Sequence, residues 1–392
     1  MGKIGILTYF GTLNPGTFLQ AYCVQQMLKS RFPDDHVELV GYRIWKEYLR
    51  DFYRPNKAYI SLRQWLKDYK KCKKYRNARR KYFTISSSSL VTQNSQKGWD
   101  FIAQQDYDLI VVGSDTVLEI LPKQVKSNHV PVYWLPPSIK CKKVMCAASA
   151  RSTYINQLSL KTRQILKEAV NDFELLGVRD DVTFSLIKSL GLEREHNLCM
   201  VPDPTFTFEI DASLADRYLA TSGLNLNKPI VALHLTPKCK FGDKLTSNYR
   251  RRGYQVVSLG PARYADYCLT DVSQFEWAGL FSHFELVITH RFHDTVFSLK
   301  NFTPVISILP SKSFATPGGQ SKHYSLLKLF GMHETNLISD IDSVDPDRIV
   351  QLGTEAKKHF KHDKVQKKLT ELKENFVTFI DKIWDVYNNV GN

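Results

Sequence analysis

Arg291 and His293 stand two residues apart in the stretch Thr289-His290-Arg291-Phe292-His293-Asp294-Thr295, directly after the apolar run Phe284-Glu285-Leu286-Val287-Ile288. A guanidinium clamps carboxylate or phosphate through paired hydrogen bonds, and an imidazole moves protons near neutral pH. Together they point to acid–base chemistry on a small anion. Three further loops carry residues of interest. Tyr9-Phe10-Gly11-Thr12-Leu13-Asn14-Pro15-Gly16-Thr17 reads as a tight turn or, with Asn14 and Gly16 before a helix, as an anion or sugar-hydroxyl site. Gly113-Ser114-Asp115 follows Leu109-Ile110-Val111-Val112, and Asp115 either caps a helix or binds acceptor hydroxyls. Gly177-Val178-Arg179-Asp180-Asp181 places Arg179 either in an ion pair with nearby acids or toward a ligand. None of these loops has the Gly-x-Gly-x-x-Gly pattern or the lysine of a phosphate loop. His290 and His293 lie one helical turn apart, but no third ligand stands near and His-Glu-x-x-His is absent, so a metal site is not expected.

These loops matter because of the elements that carry them. Strand-like runs fall at Ile4–Thr8, Val37–Tyr42, Leu109–Val112, Lys143–Ala147 and Leu175–Val178, with helical patterns near Thr17–Ser30, Leu62–Tyr82, Leu160–Asn171 and Val182–Leu190. Near-continuous Val/Ile/Leu strands alternating with helices predict parallel sheets covered on both faces. Ligands bind such sheets beyond the carboxyl ends of the strands, where these loops lie. Around Met200-Val201-Pro202-Asp203-Pro204-Thr205 the pattern breaks, which predicts a stiff connector between residues 1–202 and 203–392. A second series follows, with strands near Ile230–Leu235, Gln255–Leu259, Leu286–Thr289 and Val305–Ile308, and a long amphipathic helix over 364–387. Two Rossmann-like domains facing a central cleft are the economical α/β architecture.

The length of 392 residues agrees with two cores. Seven scattered cysteines, several inside apolar runs, read as reduced thiols rather than a disulfide framework. The N-terminus has no signal-peptide pattern and no run approaches a spanning helix, so a cytoplasmic protein is expected. A formal net charge of +15 implies anionic partners. From Arg63 to Lys81 there are ten basic residues and one acid, with Trp65, Tyr69, Cys72, Tyr75 and Tyr82 at helical spacing. That is either a solvated helix packed by its aromatic stripe or one attracted to an anionic leaflet, at ~1 kcal/mol per basic residue near the surface. No nucleic-acid-binding motif accompanies the charge, and nucleic acid is not expected as a partner.

Taken in order, the motifs resemble the polysaccharide pyruvyl transferase family. Its marks here are Asn14-Pro15-Gly16 with Leu19-Gln20-Ala21-Tyr22, then Val112-Gly113-Ser114-Asp115, Ala147-Ala148-Ser149, Val178-Arg179-Asp180, Asp203-Pro204-Thr205 and the signature Arg291-Phe292-His293-Asp294. The chain departs from the family pattern with Thr116-Val117-Leu118 after Asp115 and with Asp294 where a small residue is usual. The resemblance implies a double-Rossmann GT-B-like fold. It implies transfer of the enolpyruvyl carbons of phosphoenolpyruvate onto a sugar as a cyclic ketal, with release of phosphate and with neither nucleotide nor metal as cofactor. It also implies His293 as general acid/base, with Arg291, Phe292 and Arg179 on the donor and Asn14, Gly16, Gly113, Ser114 and Asp115 on the glycan acceptor. A lipid-diphosphate-linked acceptor would place the enzyme peripherally at the inner membrane face. A GT-B glycosyltransferase using a nucleotide-sugar donor is the alternative on the same frame.

Overall fold

The computed structural model describes residues 1–49, 62–151, 153–237, 239–309, 321–339 and 344–388, without the side chains of 62–64. Its described residues fall into two compact units. One takes them from Met1–Phe52, Arg76–Phe208 and Glu371–Asn392, the other from Tyr53–Tyr75 and Glu209–Thr370.

In the first unit the short apolar runs become β1 (Lys3–Leu7), β2 (His36–Leu39), β3 (Tyr42–Arg43), β4 (Leu90–Val91), β5 (Leu109–Val112), β6 (Lys142–Ala148), β7 (Leu175–Val178) and β8 (Leu198–Met200). Six form one sheet in the order β2-β1-β5-β6-β7-β8, every neighbouring pair parallel, while β3 and β4 pair separately. All four residues of β5 and of β7 are buried, as strands covered on both faces require. The chain leaves β1 for β2 on one side and resumes with β5 on the other. The crevice beyond the ends of β1 and β5 is therefore the switch point where such sheets bind ligands.

The second unit repeats this plan with β9 (Ile230–His234), β10 (Gln255–Ser258), β11 (Tyr267–Cys268), β12 (Leu286–Thr289), β13 (Val305–Ile308) and β14 (Leu337–Ile338). The order is β11-β10-β9-β12-β13-β14, again parallel throughout. Its switch point lies between β9 and β12, whose last residues, His234 and Thr289, are in register.

Two elements differ from the sequence-based expectation. The proline-rich segment, expected as a stiff connector, is packed into the first unit. Asp203, Pro204, Thr205 and Phe206 are buried in the first unit, Pro204–Thr207 forms a 3₁₀ turn, and the change of unit falls after Phe208. The long helix, His362–Asn388, gives its length from Glu371 onward to the first unit rather than staying with the second. The reason is its apolar stripe. Leu372, Phe376, Phe379, Ile380 and Ile383 are at most 3% exposed, and each buried side chain of this size contributes ~1.5–3 kcal/mol. Gly177 in β7 makes room for that stripe, since a Cβ there would lie 2.3 Å from Cζ of Phe379. Arg31 binds Asp381 at 2.7 Å and stacks on Trp384, and Lys142 Nζ donates to the terminal carbonyls of Val386 and Tyr387.

Candidate functional site

At the switch point of the second sheet, four histidines gather around the end of β12. The helix Phe292–Lys300 starts with Arg291 as its N-cap, in extended backbone. Arg291 is exposed, while Phe292 and His293 on the first turn are buried, at 8% and 6% exposed. The Phe292 ring meets His293 edge-on at 5.2 Å and His323 at 5.8 Å, and Lys322 Nζ stands 5.0 Å from its centroid. A helix start with a guanidinium outside and an imidazole just inside is suited to receive an anion and move a proton.

The four imidazoles are not equivalent. His290 Nδ1 donates to the carbonyl of His234 at 2.7 Å, which fixes its tautomer. Burial, with the charges of His234 and Arg291, pushes its pKa down to about 3. His323, fully buried, is held well below the ordinary imidazole range, again by burial and then by Lys322. Both stay neutral near pH 7. That leaves His293, which the sequence singles out, and His234, which it does not. His234 Nδ1 lies 2.6 Å from Oδ2 of Asp294, and the Thr289 hydroxyl donates to the same oxygen at 2.8 Å. Thr289 in turn accepts from the Arg291 backbone N–H at 2.9 Å. Burial alone would raise the Asp294 carboxyl, but the charge and hydrogen bond of His234, Thr289 and Arg291 outweigh it and hold the group below its ordinary value. The unusual Asp294 therefore has a partner, His234, sixty residues away in sequence. Its only sequence signal was the departure from a small residue.

The first sheet presents a different site. Asn14 is the N-cap of the helix Pro15–Arg31, accepting from Gly16 N–H at 3.1 Å, and it is itself exposed. Gly113 takes a φ of +116°, where a Cβ would lie 2.4 Å from the Cys146 carbonyl, so only glycine fits. Asp115 caps no helix, since the next one starts only at Pro122. It bridges to Ala148 instead and accepts from Thr17 Oγ1 at 2.5 Å, from Thr116 N–H at 2.7 Å and from Arg179 at 3.2 Å. Ser114 is fully buried; its carbonyl accepts from Thr8 Oγ1 at 2.9 Å.

Arg179 sits at the centre of this network with its side chain only 2% exposed. It also donates to Asp203 at 2.8 Å, and Gln20 Nε2 binds that same carboxylate oxygen at 2.6 Å. The structure thus brings Asn14, Gly16, Gly113, Ser114, Asp115 and Arg179 to one edge of the first unit, and Arg291, Phe292 and His293 to one edge of the second. Arg179 and Arg291 belong to different units. Thr17, Gln20 and Asp203 complete the first network; the last two were visible as motif letters without a role. Among the described residues no cluster of three His, Cys, Asp or Glu is arranged to hold a metal ion.

Two all-parallel Rossmann-like units define the GT-B fold, and solved structures agree. The Anabaena HepE in complex with UDP is similar at 11% identity and a TM-score of 0.53, covering 98% of each chain. Glycyrrhiza uralensis UGT73P12, complexed with glycyrrhetinic acid 3-O-monoglucuronide, is similar at 7% identity and a TM-score of 0.55, covering 99% of this chain and 96% of its own. The UDP-GlcNAc 2-epimerase of Neisseria meningitidis bound to UDP-GlcNAc has 8% identity and a TM-score of 0.52, covering 98% and 99%. At such identities the likeness extends to fold alone. The chain belongs to the polysaccharide pyruvyl transferase family, whose model matches residues 14–312. No curated protein matches it in sequence.

Proposed function

We propose that this transferase moves the enolpyruvyl carbons of phosphoenolpyruvate onto a sugar of a polysaccharide or its precursor, forming a cyclic ketal and releasing phosphate. The observation that carries the reading is the arrangement at the end of β12 in a chain of this family: an exposed Arg291 caps a helix whose first turn holds Phe292 and His293. Protonating the vinyl carbon of the donor makes its C2 electrophilic. One sugar hydroxyl then adds, phosphate leaves and a second hydroxyl closes the ring. His293 gives and takes the proton, and Arg291 clamps the donor's anionic groups, with Phe292 against His293 as the wall. Neither nucleotide nor metal takes part as a cofactor. The acceptor belongs to the first unit, at Asn14, Gly16, Gly113 and Asp115, while Ser114, fully buried with its carbonyl bonded to Thr8, supports that loop from behind. Arg179 enters this reading as the residue that orders Asp115 and Asp203, because its guanidinium already serves two carboxylates.

The test is calorimetric titration with phosphoenolpyruvate, with UDP as the comparison ligand. Phosphoenolpyruvate should bind and Arg291→Ala should weaken it about 10- to 100-fold, the range expected for charged hydrogen bonds. Arg291→Lys should recover little, since an ammonium cannot reproduce the fork. Binding of UDP without phosphoenolpyruvate would overturn the reading in favour of a nucleotide-sugar transferase.

The acceptor in this reading is carried on a lipid diphosphate, and the enzyme rests peripherally on an anionic leaflet from the cytoplasmic side. No described helix is long and apolar enough to cross a membrane. On the helix Leu62–Tyr82, Trp65, Leu66 and Tyr69 are 45–49% exposed, and Lys70, Lys73, Arg80 and Lys81 are exposed further along. Aromatic residues beside lysines are the composition of an interfacial helix. Cosedimentation should show binding to vesicles of phosphatidylglycerol but not of phosphatidylcholine, weakened by salt and by the pair Trp65→Ser and Tyr69→Ser. Equal affinity for both lipids, or for neither, would remove the membrane from the proposal.

A further inference from the structure

His234 and Asp294 form a carboxylate–imidazole pair at the one place in the second sheet where the strand order reverses. His234 ends β9, Asp294 lies on the first turn of the helix after β12, and they meet at 2.6 Å. Because Asp294 accepts at Nδ1, that nitrogen carries the proton and Nε2 is left as the chemically active atom. Nε2 points to the loop after β10, where Gly260 leaves it room; a Cβ at 260 would stand 2.9 Å from Nε2. The groups around the ring are complementary to that role. Asp294 is kept ionised by its partners, His290 is kept neutral, and the Tyr264 hydroxyl, hydrogen-bonded at Leu233 and Leu235, is pushed up to about 12 by burial. Arg291 is a nearby cation, and its backbone N–H, not its guanidinium, is joined to the pair through Thr289. A dianion bound at Nε2 would be met by a hydrogen bond from the imidazolium, with Asp294 bonded to the other ring nitrogen.

We propose that His234, oriented by Asp294, binds the phosphoryl group at this edge and returns a proton to it as it departs. The inference rests on the phosphoenolpyruvate reading for the identity of the donor, and on the pair alone for the phosphoryl site. In the full reaction His293 gives its proton to the donor's methylene carbon, which becomes a methyl. The C2–oxygen bond to phosphate breaks with its electron pair on the phosphate oxygen, and the Nε2 proton of His234 goes to that oxygen. The two sugar hydroxyls form the two new C2–oxygen bonds and lose one proton each. One restores each histidine, and hydrogen phosphate leaves. Two proton-transfer groups are what a reaction with two proton donations requires, and the other two imidazoles at this edge are locked neutral.

Inorganic phosphate is the direct probe, titrated at pH 8 in two buffers of different ionisation enthalpy so that proton uptake is read together with affinity. The wild-type protein should take up close to one proton on binding. His234→Gln should abolish the uptake and weaken phosphate about tenfold or more, as expected for loss of a charged hydrogen bond. His293→Gln should keep the uptake. Asp294→Asn should move the uptake to lower pH by about a unit or more, because the neutral amide no longer favours the imidazolium. Gly260→Ala, whose methyl would press on the His234 ring at Nε2 and make it give way, should weaken phosphate while leaving the melting temperature within a few degrees, which separates site loss from unfolding. Uptake retained in His234→Gln, or wild-type binding without any uptake, overturns the inference, as does failure of the wild type to bind phosphate. Phosphoenolpyruvate binding that needs Arg291 but ignores His234 would keep the proposed donor and sink this role. Phosphoenolpyruvate no tighter than phosphate, with His234-dependent uptake intact, would do the reverse.

Discussion

His293→Ala is expected to lower phosphate release from phosphoenolpyruvate by roughly 10²–10⁴, the usual contribution of a positioned general acid–base. Donor affinity should change far less, because in the proposed reaction Arg291 is the clamp and the imidazole acts on carbon rather than on the anion. The size of the effect follows from what else is present. His290 gives its Nδ1 proton to a carbonyl and resists protonation down to about 3, and His323 is buried and held neutral. Neither can stand in for His293 near neutral pH. His234 is tethered by Asp294 with its Nε2 beside Gly260, and in the proposed reaction it serves a different atom of the donor. The measurement is phosphate release with a glycan extract that supports wild-type turnover, alongside calorimetric titration of the donor. Turnover near the wild-type rate in the His293 variant would remove the assignment. A parallel collapse of donor binding would make His293 a binding residue instead.

The long strands were legible because each is a short stretch dominated by apolar residues and bounded by turn signals. Leu109–Val112, Leu175–Val178, Leu286–Thr289 and Val305–Ile308 fall where that pattern places them. The strands Leu90–Val91, Tyr267–Cys268 and Leu337–Ile338 escaped it, since two residues cannot display a period, and the run Val37–Tyr42 merged the start of Tyr42–Arg43 with the strand before it. The C-terminal helix was legible as a helix, yet nothing in an amphipathic stripe says which core will cover it. The same limit applies to the site. Arg291 and His293 are two apart and could be read together. His234 and Asp294 are sixty apart, and Arg179 is 64 residues from Asp115 and 24 from Asp203. Those contacts exist only because parallel crossovers bring every strand end to one edge, and a sequence read alone has no means of pairing the loops there.

Arg179→Met is expected to destabilise the first unit by about 3–5 kcal/mol, the cost of leaving buried charge without its counter-charge. The guanidinium is 2% exposed and serves Asp115 and Asp203, whose side chains are 12% and 2% exposed. Removing it leaves two carboxylates in a pocket also lined by Thr17 and Gln20, each of which already donates to one of them. Arg179→Lys should recover only part of the loss, because one ammonium cannot span both carboxylates as the guanidinium does. Adding Asp203→Asn to Arg179→Met should restore part of the stability, since one of the two unpaired charges is then removed and Asp115 keeps its bonds from Thr17 and the Thr116 N–H. Denaturant unfolding followed by a probe in the first unit reads the effect, and donor titration decides what it means. A residue that orders the loops after β5, β7 and β8 loses stability when replaced, and phosphoenolpyruvate affinity follows only weakly. A residue that clamps the donor shows the opposite: binding falls as in Arg291→Ala while the unfolding midpoint stays put. The burial and the two carboxylates favour the first outcome, and they explain why an arginine at a strand end can look like a ligand clamp in the sequence while acting as the keystone of a buried ion-pair network.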